Sequence, residues 1–335
     1  MTPDSQQVLV LNSGEIKLLL PMDECIEIMS DALKDLSQGQ IIQPLRTVVR
    51  PPGAKGVMAM MPAYRRGENS AYGLKAICFF HGNPKFGKDA HQGCVLLSSG
   101  ETGELRAILN ASAITELRTA AVTAVATRLL SRPDSSTLAI VGSGIQARAH
   151  LIAISKVRTI KHARVVSLNP EHPKQLAEEM KTLLPFPIEA VASVAEALAG
   201  ADIIVTATSA REPVLKREWI SPGAHVNGIG TYSPQARELD SATMAASRIY
   251  VDRRESAINE SGDYVLAAEE GLIGPDSIVG EIGEVLLAQK PGRTSAEEIT
   301  LFKSLGLAIE DMACAEYLYQ KAQRENVGSW IKFNG

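Results

Sequence analysis

The sequence lacks several features that mark whole classes of protein. No apolar stretch reaches the ~18 residues that a membrane-spanning helix needs, and the N-terminal segment has only the apolar run Val8 to Leu11, with no basic segment before it. The chain has no excess of basic residues, because 34 Lys and Arg are balanced by 38 Asp and Glu. We therefore expect a cytoplasmic protein that binds neither a membrane nor nucleic acid.

Signatures of several well-known active sites are also missing. The 4 cysteines contain no C-x-x-C pair and the 6 histidines form no H-E-x-x-H motif, so the sequence predicts no metal site and no redox dithiol. A P-loop and the G-x-S-x-G motif of hydrolases do not occur either. The cysteines are expected to be buried thiols in a reducing compartment. The 335 residues suffice for about two domains.

The first third of the chain predicts a helix followed by an antiparallel sheet. From Met22 to Leu36 apolar residues recur at steps of three and four, with Pro21 before them and Gly39 after them, as in an amphipathic helix. Short β-type runs separated by Pro- and Gly-rich turns occupy residues 46–109. The segment 114–130 is Ala-rich without Gly or Pro and predicts a second helix.

The middle third alternates between short apolar runs and helical patterns. Strands are predicted at Thr137–Val141, Ala163–Ser167, Ile188–Val191, Ile203–Ala207, His225–Ile229 and Arg248–Val251. Such alternation is typical of a parallel sheet covered on both faces, the doubly wound α/β fold. After Asp252 the chain is polar and rich in Gly, with no strand predicted, until a last helix over 305–320 that should pack on the N-terminal sheet. The changes of pattern place domain boundaries near residues 120 and 300.

One motif indicates a dinucleotide cofactor. The first strand of the middle third is followed by Gly142-Ser143-Gly144-Ile145-Gln146-Ala147, which is G-x-G-x-x-G/A between a strand and a helix. Gly142 permits the turn, Gly144 lets backbone N–H groups approach a pyrophosphate, and Ala147 keeps the helix close to the strand. The alternative is a glycine turn of an ordinary α/β sheet.

Later strand ends complete the predicted cofactor site. The second strand ends at Ser167 and Asn169 without a carboxylate, which favours NADP(H), and Glu171 close by leaves NAD(H) possible. Four residues at the ends of the strands Ile203–Ala207 and His225–Ile229 are also assigned to the cofactor: Thr206, Ala207, Thr208 and Gly230. Tyr232 follows the second of these strands and should border the reacting centre, as a proton relay, by packing against the nicotinamide or by ordering a water.

Three basic residues are candidates for holding an anionic substrate: Arg46, Lys75 and Arg118. Taken singly, each is an ordinary surface charge. However, Lys75 interrupts the apolar strand Leu74 to Phe80, and Arg118 interrupts the apolar helix. A charge inside an apolar element needs an anionic partner, which is either a buried Asp or Glu or the carboxylate of a substrate. The residues alone leave both alternatives open.

Seven short segments of the sequence, taken together, are specific for one protein family. They are Tyr72-Gly-Leu-Lys75, His81-Gly-Asn-Pro-Lys85, Thr102-Gly103, Ile114-Thr-Glu-Leu-Arg118-Thr-Ala-Ala, Gly142-Ser-Gly-Ile-Gln-Ala147, Val226-Asn-Gly-Ile-Gly230 and Gly306-Leu-Ala-Ile-Glu-Asp311. With them the chain resembles the ornithine cyclodeaminase/mu-crystallin family over nearly its whole length. The resemblance implies an α+β substrate-binding and dimerisation domain formed by residues 1–120 and 301–335, with a Rossmann-type doubly wound parallel sheet, residues 121–300, inserted in it.

The resemblance also implies a function. The family's carboxylate-binding residues fall on Arg46, Lys75 and Arg118, and catalytic roles fall on Lys75 and Tyr232. An NAD(P)H-dependent reductase of a cyclic ketimine or other 2-imino carboxylate, such as 1-pyrroline-2-carboxylate, is expected, acting as a homodimer. An alanine-type dehydrogenase, an ornithine cyclodeaminase-like enzyme and a nucleotide-dependent binding protein without catalysis are the alternatives. Cyclodeamination is disfavoured, because Ala59 and Tyr232 stand where ornithine cyclodeaminase has carboxylates.

Overall fold

The structure is a computed structural model that describes residues 7–333. The strands are β1 Gln7–Leu11, β2 Ile41–Ile42, β3 Thr47–Val49, β4 Val57–Arg65, β5 Ala71–Phe79, β6 His91–Ser99, β7 Leu105–Asn110, β8 Thr137–Val141, β9 His162–Val166, β10 Ile188–Ala190, β11 Ile203–Thr206, β12 His225–Gly228, β13 Ser247–Val251, β14 Ile278–Glu281, β15 Ile299–Lys303 and β16 Ser329–Lys332. The α-helices are α1 Ser13–Leu19, α2 Met22–Ser37, α3 Ala111–Leu130, α4 Ile145–Val157, α5 Glu171–Met180, α6 Val194–Leu198, α7 Ser241–Ala245, α8 Arg254–Glu260, α9 Gly262–Glu269, α10 Ile282–Leu286 and α11 Ala308–Glu325.

The chain forms two compact units. The first unit combines the chain up to Arg118 with the chain from Leu307 onward, and the second unit is Thr119–Gly306. The predicted fold class is confirmed: a doubly wound parallel sheet is inserted in an α+β unit that both ends of the chain build. In the described residues no helix is long and apolar enough to cross a membrane.

The first unit is built around a mixed sheet with the strand order β16-β1-β7-β6-β5-β4-β2, in which β3 also pairs with β4. Strands β4 to β7 are antiparallel neighbours, as the sequence predicts. The parallel pair of β1 with β7 and the pair of β1 with β16 were not predicted. Helix α2 begins directly after Pro21 as expected, and α11 lies against α2 and against β4 to β7, which confirms that the last helix packs on this sheet.

A glycine lets α11 approach the sheet closely. Gly73 lies on the buried face of β5, and a Cβ added there would be 2.5 Å from Cγ and 2.8 Å from Cβ of Met312 in α11. Any side chain at this position therefore pushes the helix away from the strand. The close approach matters for the site, because Lys75 lies on the same face of β5 and Asp311 precedes Met312.

The second unit is built around an entirely parallel sheet with the strand order β10-β9-β8-β11-β12-β15-β13-β14. Side chains of β8 alternate between two cores: Leu138 and Ile140 pack in one, and Ala139 and Val141 in the other. Both faces of the sheet are therefore covered, as a doubly wound fold requires. The strand order reverses at β8, whose neighbours are β9 and β11, and ligands of such sheets bind at the carboxyl ends of the strands at this point.

One prediction about this unit was wrong. The sequence predicts no strand after Asp252, yet the structure has β14 and β15 there, and β15 lies between β12 and β13 inside the sheet. Every residue of β15 is buried, including Lys303 at its end. The ammonium of Lys303 is tolerated there because it lies 2.8 Å from the buried carboxylate of Asp263. A partner that distant in sequence is invisible to a pattern of apolar runs.

Gly73→Ala tests the close contact between β5 and α11. The added methyl group overpacks the interface, so we expect the free energy of unfolding to fall by about 1–3 kcal/mol. Gly82→Ala is the matched control, since a Cβ at Gly82 meets no atom within 4 Å and should change stability by less than about 0.5 kcal/mol. Urea unfolding of both variants gives the comparison. Equal stability of the two variants contradicts the contact.

Candidate active site

The glycine turn of the second unit has the shape of a dinucleotide site. Gly142 adopts a φ of +124°, and a Cβ added there would lie 2.4 Å from the backbone oxygen of Ala207, so only glycine fits between β8 and the end of β11. At Gly144, the N-cap of α4, an added Cβ meets no atom within 4 Å. The N-terminus of this helix of 13 residues thus begins at a glycine with open space beside it, and the free N–H groups of a helix N-terminus suit a pyrophosphate.

Polar groups without a carboxylate follow the second strand, β9. The Ser143 hydroxyl donates to Oγ of Ser167 at 2.9 Å, and the Ser167 hydroxyl donates to the backbone oxygen of Asn169 at 3.0 Å. Oδ1 of Asn169 accepts the backbone N–H of Glu171 at 3.1 Å. The carboxylate of Glu171 lies in the next helix, where Nζ of Lys174 is 2.8 Å away. A hydroxyl and an amide thus border the end of β9.

The ends of β11 and β12 converge on a buried carboxylate that the sequence did not indicate. Glu238 is fully buried and accepts hydrogen bonds from the hydroxyl of Thr206, from the backbone and hydroxyl of Thr208 and from the backbone of Gly230. The hydroxyl of Thr206 is therefore turned into the protein. Tyr232, further along, is partly buried and packs against the core of the second unit. Its predicted place beside the reacting centre stays a prediction.

In the first unit, the two predicted cations inside apolar elements meet two carboxylates. Nζ of Lys75 lies 3.1 and 3.2 Å from the two oxygens of Asp311. Arg118 donates to Oε2 of Glu310 at 2.6 Å, and its Nε lies 3.4 Å from Oδ1 of Asp311. All four residues are 5% exposed or less. The start of α11 that carries the two acids is fixed by Gln43, whose Oε1 accepts the N–H of Ile309 at 3.0 Å.

Burial perturbs these groups strongly. Burial lowers the pKa of Lys75 to about 8; Asp311 opposes this shift, and the charges of Arg118 and Arg46 add to it. Burial also acts against the charge of Arg118, but the carboxylates of Asp311 and Glu310 outweigh it and raise the pKa of this guanidinium. Arg46 lies partly buried just before β3, and its charge acts on Lys75. The structure therefore joins Lys75 and Arg118 through Asp311, with Arg46 near enough for its charge to be felt.

A histidine that the sequence analysis missed borders this cluster. Burial lowers the pKa of His91, at the start of β6, to about 4, and the charges of Lys75 and Arg118 add to the effect. The ring is consequently neutral at physiological pH and is packed edge-on against Phe79, with 3.8 Å between the ring centroids. No sequence motif distinguishes His91 from the other histidines. In contrast, Glu310 and Asp311 end the segment Gly306-Leu-Ala-Ile-Glu-Asp311, one of the seven segments on which the family resemblance rests.

The cluster has the chemistry to attract an anion. Arg46, Lys75 and Arg118 are cations, and Lys75 and Arg118 have Asp311 and Glu310 as buried acidic partners. Cations in a buried place attract an anionic group, and a guanidinium can grip a carboxylate with two parallel hydrogen bonds. Of the two alternatives that the sequence left open, the structure shows the buried acids, and binding of a substrate carboxylate stays a prediction.

The whole chain is similar to known proteins. The profile of the Ornithine cyclodeaminase/mu-crystallin family matches residues 6–326. The ketimine reductase mu-crystallin of Mus musculus is 38% identical over 291 residues, covering 86% of this chain and 88% of that protein. The Delta(1)-pyrroline-2-carboxylate reductase of Thermococcus litoralis, solved with NADH and L-proline, has a TM-score of 0.93 and 39% identity over 96% of this chain and 99% of its own. An archaeal alanine dehydrogenase dimer with bound NAD has a TM-score of 0.91 and 34% identity over 98% and 99%.

Asp311→Asn tests whether the two buried cations depend on this carboxylate. Removing its charge leaves Lys75 and Arg118 with Glu310 alone, and breaking a buried pair from one side costs about 3–5 kcal/mol. Asp31→Asn removes an exposed carboxylate that pairs with Lys34 at 3.0 Å and should cost less than about 1 kcal/mol. Unfolding in urea at neutral pH measures both. If Asp311→Asn loses no more stability than Asp31→Asn, then Lys75 and Arg118 do not depend on the carboxylate of Asp311.

Proposed function

Because the chain belongs to the ornithine cyclodeaminase/mu-crystallin family, we propose that it is an NAD(P)H-dependent reductase of cyclic ketimines or related 2-imino carboxylates, such as 1-pyrroline-2-carboxylate. The observation that carries the proposal is the cluster in which the buried cations Lys75 and Arg118 both contact Asp311, with Arg46 close enough for its charge to act on Lys75. Relatives of 38% and 39% identity are a ketimine reductase and a pyrroline-2-carboxylate reductase, and the second was solved with NADH and proline. An imino carboxylate carries a negative charge that these cations would attract.

Each basic residue has a role in this proposal. The guanidinium groups of Arg46 and Arg118 bind the carboxylate in a fork, and the ammonium of Lys75 adds a point charge. Because burial brings the pKa of Lys75 to about 8, its Nζ is also able to hand a proton to the substrate near neutral pH. Holding the planar imine in one orientation supplies much of the rate enhancement.

The cofactor belongs at the turn from Gly142 to Ala147, whose helix N-terminus would bind the pyrophosphate. When bound, it supplies the hydride that the imine carbon accepts. We propose a preference for NADP(H) over NAD(H), because the hydroxyl of Ser167 and the amide of Asn169 border the end of β9 where NAD-specific sheets carry a carboxylate. The side chain of Lys174, paired with Glu171, would lie on the side of a 2′-phosphate.

A second activity, reductive amination of a 2-oxo acid, is favoured by the similarity to the archaeal alanine dehydrogenase.

That relative is a dimer, and we propose a homodimer here as well. In support, neighbouring strands β3 and β4 expose the apolar residues Val48, Val49 and Met58 at 44, 46 and 37%. Sedimentation equilibrium of the full chain tests this. Ornithine cyclodeamination stays disfavoured, since Ala59 and Tyr232 offer no carboxylate.

A turnover assay tests the proposed function. The full chain is mixed with 1-pyrroline-2-carboxylate and either NADPH or NADH, and with pyruvate plus ammonia in parallel, while the absorbance of the reduced cofactor is followed. The proposal predicts turnover of the cyclic ketimine without ammonia and a higher kcat/KM with NADPH. Turnover only of pyruvate with ammonia would favour the dehydrogenase. A preference for NADH of about tenfold or more, some 1.4 kcal/mol, refutes the cofactor assignment.

Arg118→Met removes one of the proposed carboxylate contacts. Loss of a charged hydrogen bond costs about 1.5–3 kcal/mol, so kcat/KM for the imine should fall roughly ten- to more than a hundredfold. Arg118→Lys restores a positive charge and should recover part of the loss, which separates charge from folding. Arg66→Met is the control, because Arg66 is exposed and should leave the kinetics unchanged. Unchanged kinetics of Arg118→Met would remove this residue from the site.

The pH profile of kcat/KM reports the charge of Lys75 in the free enzyme. Its ammonium loses the proton as the pH rises through about 8, so attraction of the carboxylate weakens and kcat/KM falls above this pH. Lys75→Arg keeps its charge at all accessible pH values and should abolish this fall, whatever its absolute rate. A fall of the same shape in Lys75→Arg would assign the titration to another group.

A further inference from the structure

The second unit buries a carboxylate that the proposed reaction does not use. Glu238 lies between β12 and α7 and is 0% exposed. Its Oε1 accepts the backbone N–H and the hydroxyl of Thr208, both at 2.7 Å. Its Oε2 accepts the hydroxyl of Thr206 at 3.0 Å and the backbone N–H of Gly230 at 2.7 Å. Four donors on two oxygens satisfy an ionised carboxylate almost completely.

These donors come from the two chain segments that leave the carboxyl ends of β11 and β12. There is no spare room between the segments, because a Cβ added to Gly230 would be 2.1 Å from the backbone oxygen of Thr208 and 2.6 Å from Oε1 of Glu238. The first segment also borders the glycine turn, since the backbone oxygen of Ala207 is the atom that a side chain at Gly142 would strike. Glu238 therefore holds together the edge at which a dinucleotide binds on this fold.

A second carboxylate fixes Glu238 itself. Oδ1 of Asp263 accepts the backbone N–H groups of Glu238 and Leu239 at 2.8 and 2.9 Å. Its Oδ2 accepts the hydroxyl of Thr231 at 2.8 Å and pairs with Nζ of Lys303 at 2.8 Å. Lys303 in turn donates to the backbone oxygen of Thr231 at 2.9 Å. The segment after β12 is thus held at Gly230 by one acid and at Thr231 by the other.

We propose that Glu238 is a positioning residue for the nicotinamide cofactor, one that fixes the chain after β11 and β12 in the form that binds it. This inference rests on the proposed function. Glu238 is too buried to touch the cofactor or the substrate, so it acts through the backbone of Thr208 and Gly230. Its replacement weakens cofactor binding and leaves the carboxylate-binding residues of the first unit intact.

Glu238→Gln is the most conservative test, because it keeps the shape and changes the hydrogen-bond pattern. The amide NH2 is a donor and must face either the N–H of Thr208 or the N–H of Gly230, and a backbone N–H cannot turn round to accept. One buried N–H is left without an acceptor, so the segment shifts. We expect the Kd of NADPH to rise about tenfold or more.

The experiment measures cofactor binding directly. The full chain is titrated with NADPH and with NADH, and binding is followed by the fluorescence of the reduced nicotinamide, which requires no turnover. In steady-state assays, KM for the cofactor should rise with its Kd, while KM for the imine stays within about twofold. Asp202→Asn is the matched control: Asp202 lies before β11, at the opposite end of the sheet, and accepts the backbone N–H groups of Ser136 and Thr137 at 2.8 and 3.0 Å. It should leave the Kd of the cofactor unchanged.

Each outcome decides the proposal. A raised Kd in Glu238→Gln with an unchanged Kd in Asp202→Asn supports it. An unchanged Kd in Glu238→Gln, or equal changes in both variants, overturns it. If Glu238→Gln does not fold, Thr206→Val replaces it, since this change removes only one of the four donors, and here a Kd equal to that of the wild type overturns the assignment. A wild-type chain that binds neither NADPH nor NADH overturns the proposed function, and this inference falls with it.

Discussion

The first unit depends on pairing buried cations with buried acids that lie far away in the sequence. Asp311 is 236 positions from Lys75, and Glu310 is 192 positions from Arg118. An isolated charge in such a place would cost several kcal/mol, so β5, α3 and α11 can share an interior only when both ends of the chain are present. The paired charges of Lys75 and Arg118 that allow the unit to fold are also among those proposed to bind the substrate.

The second unit has buried charges of the opposite balance. There the surplus among Lys303, Asp263 and Glu238 is negative, and backbone N–H groups and hydroxyls, rather than a further cation, stabilise the carboxylate of Glu238. Burial raises the pKa of Glu238, and the charge of Lys303 and the hydrogen bonds of Thr208 oppose that shift. In the proposed function, cations of the first unit would bind the anionic substrate, and carboxylates of the second unit would hold the backbone at the cofactor edge.

Periodicity and turn chemistry predicted the local elements well, because they depend on neighbouring residues. The amphipathic helix after Pro21, the antiparallel strands and the glycine turn at Gly142 all follow from short patterns. Elements whose stability depends on residues far away in the sequence were not predicted. Strand β15 ends at Lys303, and Asp263, the acid whose pairing makes the burial of Lys303 possible, lies in α9.

The same distinction holds for the site. Their positions inside apolar elements correctly marked Lys75 and Arg118 as unusual. The sequence could not decide whether their anionic partner is a buried Asp or Glu or the carboxylate of a substrate. Two acids in the first turn of a helix, Glu310 and Asp311, have an ordinary explanation in the helix dipole, so nothing local shows that they are buried. Glu238 was missed for a related reason, since its four donors come together only when the parallel sheet has formed.

The proposed function depends on the binding of a carboxylate by Arg46, Lys75 and Arg118. The most direct measurement is calorimetric titration of the full chain, saturated with oxidised cofactor, with pyrrole-2-carboxylate and with pyrrole-2-carboxamide, two planar molecules that differ in charge and little in shape. The account predicts that the carboxylate binds more tightly than the amide by about tenfold or more. Equal affinities for the two molecules would contradict it.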